Sequence, residues 1–176
     1  MQQRVLGKTG ESVSILGFGC MRLPVAGPDP SYIDEDLAIA MIRKAIDRGV
    51  NYVDTAWPYH GAKGFSDPGA SEPLVAKALA GGYRAKAKVA TKLPTWLVNT
   101  RADMDRFLDL QLKRLQTSCI DFYLVHTLNA RYWEIMQQTG MAGFLDEARK
   151  DGRIKHAGFS FHDRFPVFQD IVEGYD

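Results

Sequence analysis

Cysteine, long apolar runs and net charge are all scarce in this sequence, and each scarcity argues against a class of protein. The two cysteines, Cys20 and Cys119, lie far apart and match no metal-binding or redox spacing, so unpaired thiols in a reducing, cytoplasmic setting are expected. No apolar run reaches the roughly 18 residues of a membrane-spanning helix, and no apolar segment of a secretory signal follows Met1. The net charge of +1 gives no indication of a nucleic-acid or membrane-surface partner.

What the sequence does contain is a regular alternation of strand and helix patterns. After a predicted β-hairpin in residues 1–16, five short apolar strands are centred, at steps of roughly 35 residues, near Phe18, Val53, Ala90, Tyr123 and Ala157. The predicted helices run from Asp34 to Arg48, Ser71 to Leu79, Thr100 to Leu115, Phe144 to Asp151 and Pro166 to Val172. The first three are expected to be capped by Asp34, Ser71 and Thr100, the last with Asp103 in a near capping box. Parallel strands need long crossover connections, so this order predicts an α/β fold with a parallel sheet.

The even spacing favours a (β/α)8 TIM barrel, and the absence of a G-x-G-x-x-G motif after the first strand weighs against a Rossmann fold. A closed barrel needs roughly 250 residues, whereas residues 1–176 contain about five βα units and a hairpin predicted to cap the barrel bottom. We therefore expect one partial barrel domain whose first and fifth strands have open edges. The chain would be truncated, or the ordered part of a longer one.

Polar side chains occur at the carboxyl ends of successive predicted strands. They are Asp54, Lys92, His126 and Ser160, and Tyr59 lies on the loop just after Asp54. Each alone is weak evidence, because such residues are more often caps, solvated charges or packing residues. Since the active site of a parallel barrel lies at the carboxyl ends of its strands, their joint placement predicts a catalytic site.

The chemistry of these side chains favours proton transfer. A phenol such as Tyr59 is a poor acid near neutral pH unless a cation stabilises its anion, and Lys92 can be that cation. Asp54 can keep a buried lysine charged, and His126 can hydrogen-bond the oxygen of a bound carbonyl. The set suits protonation of a carbonyl oxygen whose carbon receives a hydride. No nucleophile–base pair and no metal-binding cluster is evident in the sequence.

The sequence resembles the aldo-keto reductase family across essentially all of its length. The motifs that match are Arg4–Gly10, Leu16–Gly19, Asn51–Ala56 with Tyr59, Thr91–Lys92, Asp121–His126 and Gly158–Ser160. The resemblance implies NADPH-dependent reduction of small aldehydes or ketones, with NADH as a possible substitute. It implies Tyr59 as the proton donor, assisted by Lys92 and Asp54, and His126 as the residue that orients the substrate.

The same resemblance implies where a nicotinamide cofactor would bind. Gly19, Cys20 and Met21 match contacts after strand one, Asp54 is expected to contact the cofactor as well, and Ser160 matches the serine that holds the carboxamide. The family usually has asparagine after that serine, whereas here Phe161 and His162 follow, which makes His162 the substitute candidate. The main cofactor elements of the family come after strands six to eight, so weak or absent NADPH binding is expected for residues 1–176 alone.

Two further expectations concern the surroundings of the site. Trp57 and Trp96 lie on loops at the same mouth, where they either line an apolar substrate pocket or pack beneath the loops. The sequences of Gly19–Pro24 and Gly158–Asp163 resemble those of a bacterial subgroup of the family. Members of that subgroup often carry a C-terminal ferredoxin-like segment with a [4Fe-4S] cluster. That segment would lie beyond Asp176.

Two other functions stay open at this point. One is a non-catalytic binding or regulatory module that keeps the barrel and has lost turnover. The other is a different barrel enzyme, such as an aldolase or isomerase, which a phosphate site or a Schiff-base lysine would favour. The physiological substrate and the oligomeric state do not follow from the sequence.

Overall fold

The computed structural model describes residues 1–175. It consists of a β-hairpin followed by a parallel sheet that is flanked by helices. The hairpin strands, which are antiparallel, are β1 (Gln3–Val5) and β2 (Ser12–Ser14). The parallel sheet has the order β3-β4-β5-β6-β7. Its strands are β3 (Phe18–Gly19), β4 (Tyr52–Asp54), β5 (Lys88–Leu93), β6 (Ile120–Leu128) and β7 (Ile154–Phe161). Sequence order and spatial order coincide, as expected when each strand returns through a crossover connection.

Six α-helices are found in the described residues. They are α1 (Glu35–Asp47), α2 (Ser71–Leu79), α3 (Arg101–Arg114), α4 (Ala130–Gln138), α5 (Met141–Lys150) and α6 (Phe165–Gly174). Short 3₁₀ turns occupy Gly64–Ser66, Tyr83–Lys86 and Thr95–Leu97. The core lies between the helices and the outer face of the sheet, where residues such as Ile42, Leu108 and Tyr123 are fully buried.

Two predicted helix starts are confirmed in detail. The Asp34 side chain accepts a hydrogen bond from the backbone N–H of Leu37 at the start of α1. At α3, Thr100 and Asp103 form a capping box, because each side chain accepts from the other residue's backbone N–H. These bonds satisfy backbone donors that the first turn of a helix leaves without partners.

The structure corrects the sequence prediction at α2 and adds one helix. Ser71 is the first residue of α2 rather than its cap, and Ala70 precedes it without a side-chain hydrogen bond. The Ser71 hydroxyl instead donates to the carbonyl of Cys20 and lies 2.8 Å from the hydroxyl of Thr55. Helix α4 was absent from the prediction, although Asn129 caps it through its side chain.

The hairpin lies at the amino ends of the parallel strands. The Asn51 side chain, just before β4, accepts from the N–H of Ser14 and donates to the carbonyl of Ser12. Glu11 forms an ion pair of 2.5 Å with Lys88, the first residue of β5. The opposite, carboxyl ends of the strands therefore stay open for a functional site.

Candidate active site

A cleft of about 590 Å³ opens at the carboxyl ends of the strands. Its lining is mostly aromatic or apolar, with two histidines, and consists of Met21, Tyr59, Phe65, Trp96, His126, Thr127, Tyr132 and His162. Small-molecule sites are usually concave and apolar and contain only a few polar groups, as this cleft does.

Lys92 connects two of the polar groups predicted at this edge of the sheet, Asp54 and Tyr59. Its Nζ donates to Asp54 Oδ1 at 2.7 Å, to the carbonyl of Thr55 at 2.8 Å and to Tyr59 Oη at 3.1 Å. The residue is only 5% exposed. A buried ammonium is tolerated when a counter-charge and hydrogen-bond acceptors surround it, and here all three of its N–H bonds have acceptors.

The sheet register explains why these side chains meet. Asp54 ends β4 and pairs with Ala90 of β5, so Lys92 lies two residues further along the same face. Side chains two residues apart on a strand share a face, and neighbouring parallel strands end at the same edge of the sheet. The long side chain of Lys92 reaches back to the carboxylate at the end of the neighbouring strand.

The Tyr59 loop is fixed by backbone contacts at its far end. The N–H of Gly69 donates to the carbonyl of Trp57, and the N–H of Ser71 donates to the carbonyl of Tyr59. A Cβ at Gly69 would overlap the carbonyl oxygen of Tyr59, so the close approach requires glycine. His60 has a left-handed backbone (φ 62°), which turns the chain directly after the phenol.

His126 presents a neutral imidazole to the cleft. Burial, together with the nearby positive charge of Lys92 and the neighbouring His162, lowers the pKa of His126 to about 3. Its Nδ1 is buried without a hydrogen-bond partner. A buried N–H without a partner is costly, so the tautomer with the proton on Nε2 is favoured, and that N–H can serve a ligand in the cleft.

The lowered pKa of His126 predicts a specific loss of stability in acid. Its pKa is about 3 in the folded chain and near 6.5 when unfolded, so between these values the unfolded state binds one more proton. The free energy of unfolding should therefore fall by up to about 1.4 kcal/mol per pH unit as the pH drops below 6.5. Above pH 7 both states are neutral and this effect vanishes.

Urea unfolding at pH 7, 6 and 5 checks this expectation, with His126→Gln as the comparison because glutamine does not titrate. The difference in unfolding free energy between the two proteins should change with pH in the acid range only. Parallel pH profiles for the two proteins would contradict the expectation.

The residues predicted to contact a cofactor differ in whether they reach the cleft. Met21 and His162 line the cleft, and Gly19 is exposed on the edge strand β3. Ser160 is partly exposed near the end of β7, and its Oγ accepts from the N–H of Thr127. The structure corrects the prediction that Cys20 contacts a cofactor, because the Cys20 side chain is fully buried and cannot reach a ligand in the cleft. Burial, and then the charge of Asp54, raise the pKa of that thiol to about 12.

The two tryptophans have different environments. Trp96 lines the cleft, lies against His126 with 5.2 Å between ring centroids, and donates its Nε1 hydrogen to the carbonyl of Phe65. Trp57 does not line the cleft, which corrects the alternative that placed it in the substrate pocket. It is 6% exposed and packs edge-on against Phe107, with the guanidinium of Arg114 over its ring.

A buried polar network lies behind Lys92 and was not predicted from the sequence. Glu72 of α2 is fully buried; its carboxylate accepts from Thr91 Oγ1, Gln111 Nε2 and Arg114 Nε. Arg114 also donates to the carbonyl of Gly69, which joins this network to the Tyr59 loop. Gln111 donates further to the carbonyl of Lys92 at 3.0 Å. The network thus supports both the lysine and the tyrosine of the site from outside the sheet.

Within residues 1–175, no group of three His, Cys, Asp or Glu side chains could hold a metal ion. No helix in that range is long and apolar enough to cross a membrane.

Comparison with known proteins gives relatives of one kind. The chain is 34% identical over 163 residues to probable aldo-keto reductase 1 from Glycine max, covering 88% of this chain and 43% of that protein. It is 30% identical over 167 residues to 6-dehydroglucose reductase from Novosphingobium aromaticivorans, covering 89% of this chain and 50% of that protein. The chain therefore spans about half the length of the curated relatives it matches.

Solved structures give the same answer for the fold. An aldo-keto reductase from Bacillus halodurans in its holo form superposes with a TM-score of 0.79 at 28% identity, covering 98% of this chain and 54% of that one. A thermostable aldo-keto reductase bound to the inhibitor epalrestat gives a TM-score of 0.77 at 29% identity, with coverages of 98% and 58%. The prediction of a (β/α)8 barrel fold, of which this chain contains about half, is confirmed.

The family model described as the Aldo/keto reductase family matches residues 15–173, which is most of the sequence. With this match and the relatives above, the chain belongs to the aldo/keto reductase family.

Proposed function

We propose that the protein reduces small aldehydes or ketones to alcohols with NADPH, or with NADH in its place, and that Tyr59 is the general acid. The observation that carries this proposal is the contact of Lys92 Nζ with Asp54, the Thr55 carbonyl and the Tyr59 hydroxyl at the edge of an apolar cleft. A phenol that receives a hydrogen bond from a buried ammonium can release its proton, because the ammonium stabilises the phenolate.

Each residue has one task in the proposed reaction. Tyr59 gives its hydroxyl proton to the carbonyl oxygen, and Lys92 stabilises the phenolate that remains. Asp54 and the Thr55 carbonyl hold Lys92 charged and in place. The neutral His126 donates its Nε2 hydrogen to the same carbonyl oxygen and fixes its direction, so that oxygen is polarised before the proton moves.

The residues at the cleft fit the nicotinamide end of such a cofactor. Because Ser160 Oγ accepts from Thr127, its own hydrogen is free to be donated to a carboxamide oxygen, and His162 and Met21 line the adjoining surface. A reduced nicotinamide, when bound, supplies the hydride for the carbonyl carbon. The lining of the cleft includes no Lys or Arg, so the phosphates of the cofactor would be held by other parts of the whole protein.

The lining also supports a class of substrate. Phe65, Trp96 and Tyr132 present aromatic surface to the cleft. Aromatic and apolar groups next to the reacting carbonyl would be desolvated there at little cost, whereas a charged substituent would find no counter-charge in the lining. We therefore propose uncharged carbonyl compounds with an apolar or aromatic body.

The saturated hydrogen bonding of Lys92 argues against the aldolase alternative. A lysine that attacks a carbonyl must be a free amine with an available lone pair. Here all three donor positions of the ammonium are directed to oxygen acceptors, which favours the charged form.

Oxidation of NADPH by the full-length protein with a small aromatic aldehyde tests the proposal. We expect aldehyde-dependent loss of NADPH absorbance with one alcohol formed for each NADPH consumed. Binding of NADPH without turnover across a panel of uncharged aldehydes and ketones would favour the non-catalytic module instead.

The two unpaired cysteines, Cys20 and Cys119, support the expected reducing, cytoplasmic setting.

A further inference from the structure

Strand β6 contains one extra residue where it borders the cleft. Val125 pairs with Phe159 and Leu128 pairs with Phe161, so His126 and Thr127 together oppose the single residue Ser160. This is a β-bulge, a device that changes the direction of the side chains at a strand end.

The bulge changes which side chains face the cleft. In a regular strand His126 and Thr127 would point to opposite faces of the sheet. Both line the cleft, and Leu128 is buried in the core instead. His126 already faces the cleft, because it lies two residues after Leu124, which pairs with Lys92. The single inserted residue therefore adds Thr127 to the cleft beside His126 and returns the strand to its hydrophobic register at Leu128.

The bulge requires an unfavourable backbone conformation at Thr127. Its φ is +58°, in the left-handed region. For a β-branched residue this conformation is a true outlier and is energetically unfavourable, so it persists only where surrounding contacts impose it.

Two side-chain hydroxyls supply those contacts by holding both ends of one peptide unit. Thr95 Oγ1 donates to the carbonyl of His126 at 2.8 Å, and the N–H of Thr127 donates to Ser160 Oγ at 2.8 Å. Thr95 is almost fully buried in the turn after β5, whereas Ser160 belongs to β7. The His126–Thr127 peptide is thus held on one side by the turn after β5 and on the other by β7, and regular pairing resumes where the N–H of His162 donates to the carbonyl of Leu128.

We propose that Thr95 and Ser160 are positioning residues that set the direction of the His126 ring by holding the bulge. The proposal rests on the proposed function for the task given to His126, the orientation of the substrate carbonyl. It gives Ser160 a task in the protein itself, besides the cofactor contact that the resemblance implies for it. Thr95 has no exposed surface in the cleft, so it acts through His126 alone.

Substitution of each hydroxyl tests the proposal by kinetics. In the full-length protein, Thr95→Val and Ser160→Ala should each lower kcat/KM for the aldehyde by about 10- to 100-fold, because a misplaced catalytic group costs that much. The affinity for NADPH should stay within about twofold in Thr95→Val, as expected for a residue that acts only through an oriented side chain. Thr139→Val is the matched control, since it removes a hydroxyl that donates to the Ile135 carbonyl in α4, outside the cleft.

Thr127→Gly provides a rescue that a cofactor contact could not give. Glycine adopts the left-handed conformation at no steric cost, so the bulge would persist with less help from the hydroxyls. In that background Ser160→Ala should cost at least threefold less in kcat/KM than it does in the native protein. An equal cost in both backgrounds would overturn the proposal.

NMR of the histidine rings gives a readout that does not need turnover. In the native protein the His126 resonance should stay that of a neutral ring down to about pH 5, since burial keeps its pKa low. In Thr95→Val and Ser160→Ala the ring should become more solvated, and its titration midpoint should rise above about pH 5. An unchanged His126 titration in both folded variants would overturn the positioning proposal. Absence of native turnover together with a shifted titration would overturn the proposed function and leave the positioning intact.

Discussion

Tyr59→Phe is expected to lower kcat for aldehyde reduction by about 100- to 10,000-fold, the range for loss of a general acid. The substitution removes only the hydroxyl that accepts from Lys92 Nζ and would donate to the carbonyl oxygen. Lys92 keeps its bonds to Asp54 and to the Thr55 carbonyl, so the buried ammonium stays paired and the fold should be retained. The measurement is kcat with saturating NADPH, together with the unfolding midpoint and the NADPH dissociation constant.

Tyr32→Phe is the matched control, because its ring is 66% exposed on the loop before α1 and it does not line the cleft. It should retain full activity. A Tyr59→Phe protein that turns over within about twofold of the native rate would remove the phenol from the mechanism, because a lost general acid costs far more than that.

A second substitution separates a direct from an indirect task for Lys92. If Lys92 acts by stabilising the Tyr59 phenolate, Lys92→Met in the Tyr59→Phe background should cost little further activity. Groups that act as one unit show this strong non-additivity. If the two losses instead multiplied, Lys92 would be acting on the substrate independently of the phenol.

The strand ends of the site could be predicted because their positions follow from local pattern. Asp54, Lys92 and His126 each follow an apolar run of strand type, and parallel strands bring such ends to one edge of the sheet. No pattern in the sequence reports the bulge beside His126. It depends on the hydroxyls of Thr95, in the turn after β5, and of Ser160, on β7, and a residue such as Thr127 gives no sign of a left-handed backbone.

The missed helix and the two alternatives left open for Trp57 have related causes. In α4, of which only Trp133 and Met136 are buried, the apolar stripe is too short to stand out from a loop. The signal that could have found it is Asn129, a favoured cap residue directly before the helix. Trp57 follows Asp54 on a loop, and loops usually run over the surface. Its ring is buried instead because Phe107 and Arg114 of α3 reach over it.

Glu72 illustrates a further limit of sequence reasoning. A glutamate in the first turn of a helix is normally a solvated charge that interacts with the helix dipole. Here it is fully buried because three partners from β5 and α3 converge on its carboxylate. Burial of a charge is decided by such partners, which lie about 20 to 40 positions away in the chain, as the separations of Thr91, Gln111 and Arg114 show.

Arg114→Met is expected to destabilise the protein by about 3–5 kcal/mol, the cost of leaving a buried charge without its counter-charge. The Glu72 carboxylate would keep its bonds to Thr91 and Gln111 but would lose the guanidinium at 2.8 Å. Urea unfolding near pH 7 measures the change. Arg106→Met on the same helix is the control, because Arg106 forms a surface ion pair with Asp103, and such pairs contribute little to stability.

Adding Glu72→Gln to Arg114→Met should restore part of the lost stability, because the double variant has no buried charge to compensate. Its activity should not return in parallel. The carbonyl of Gly69 would still lack the donor it receives from Arg114, and that carbonyl belongs to the segment on which the Tyr59 loop closes. A double variant that is restored in stability and still impaired in kcat would separate the two tasks of Arg114, neutralising Glu72 and fixing the Tyr59 loop. If activity returned with stability, Arg114 would act on catalysis only through the fold.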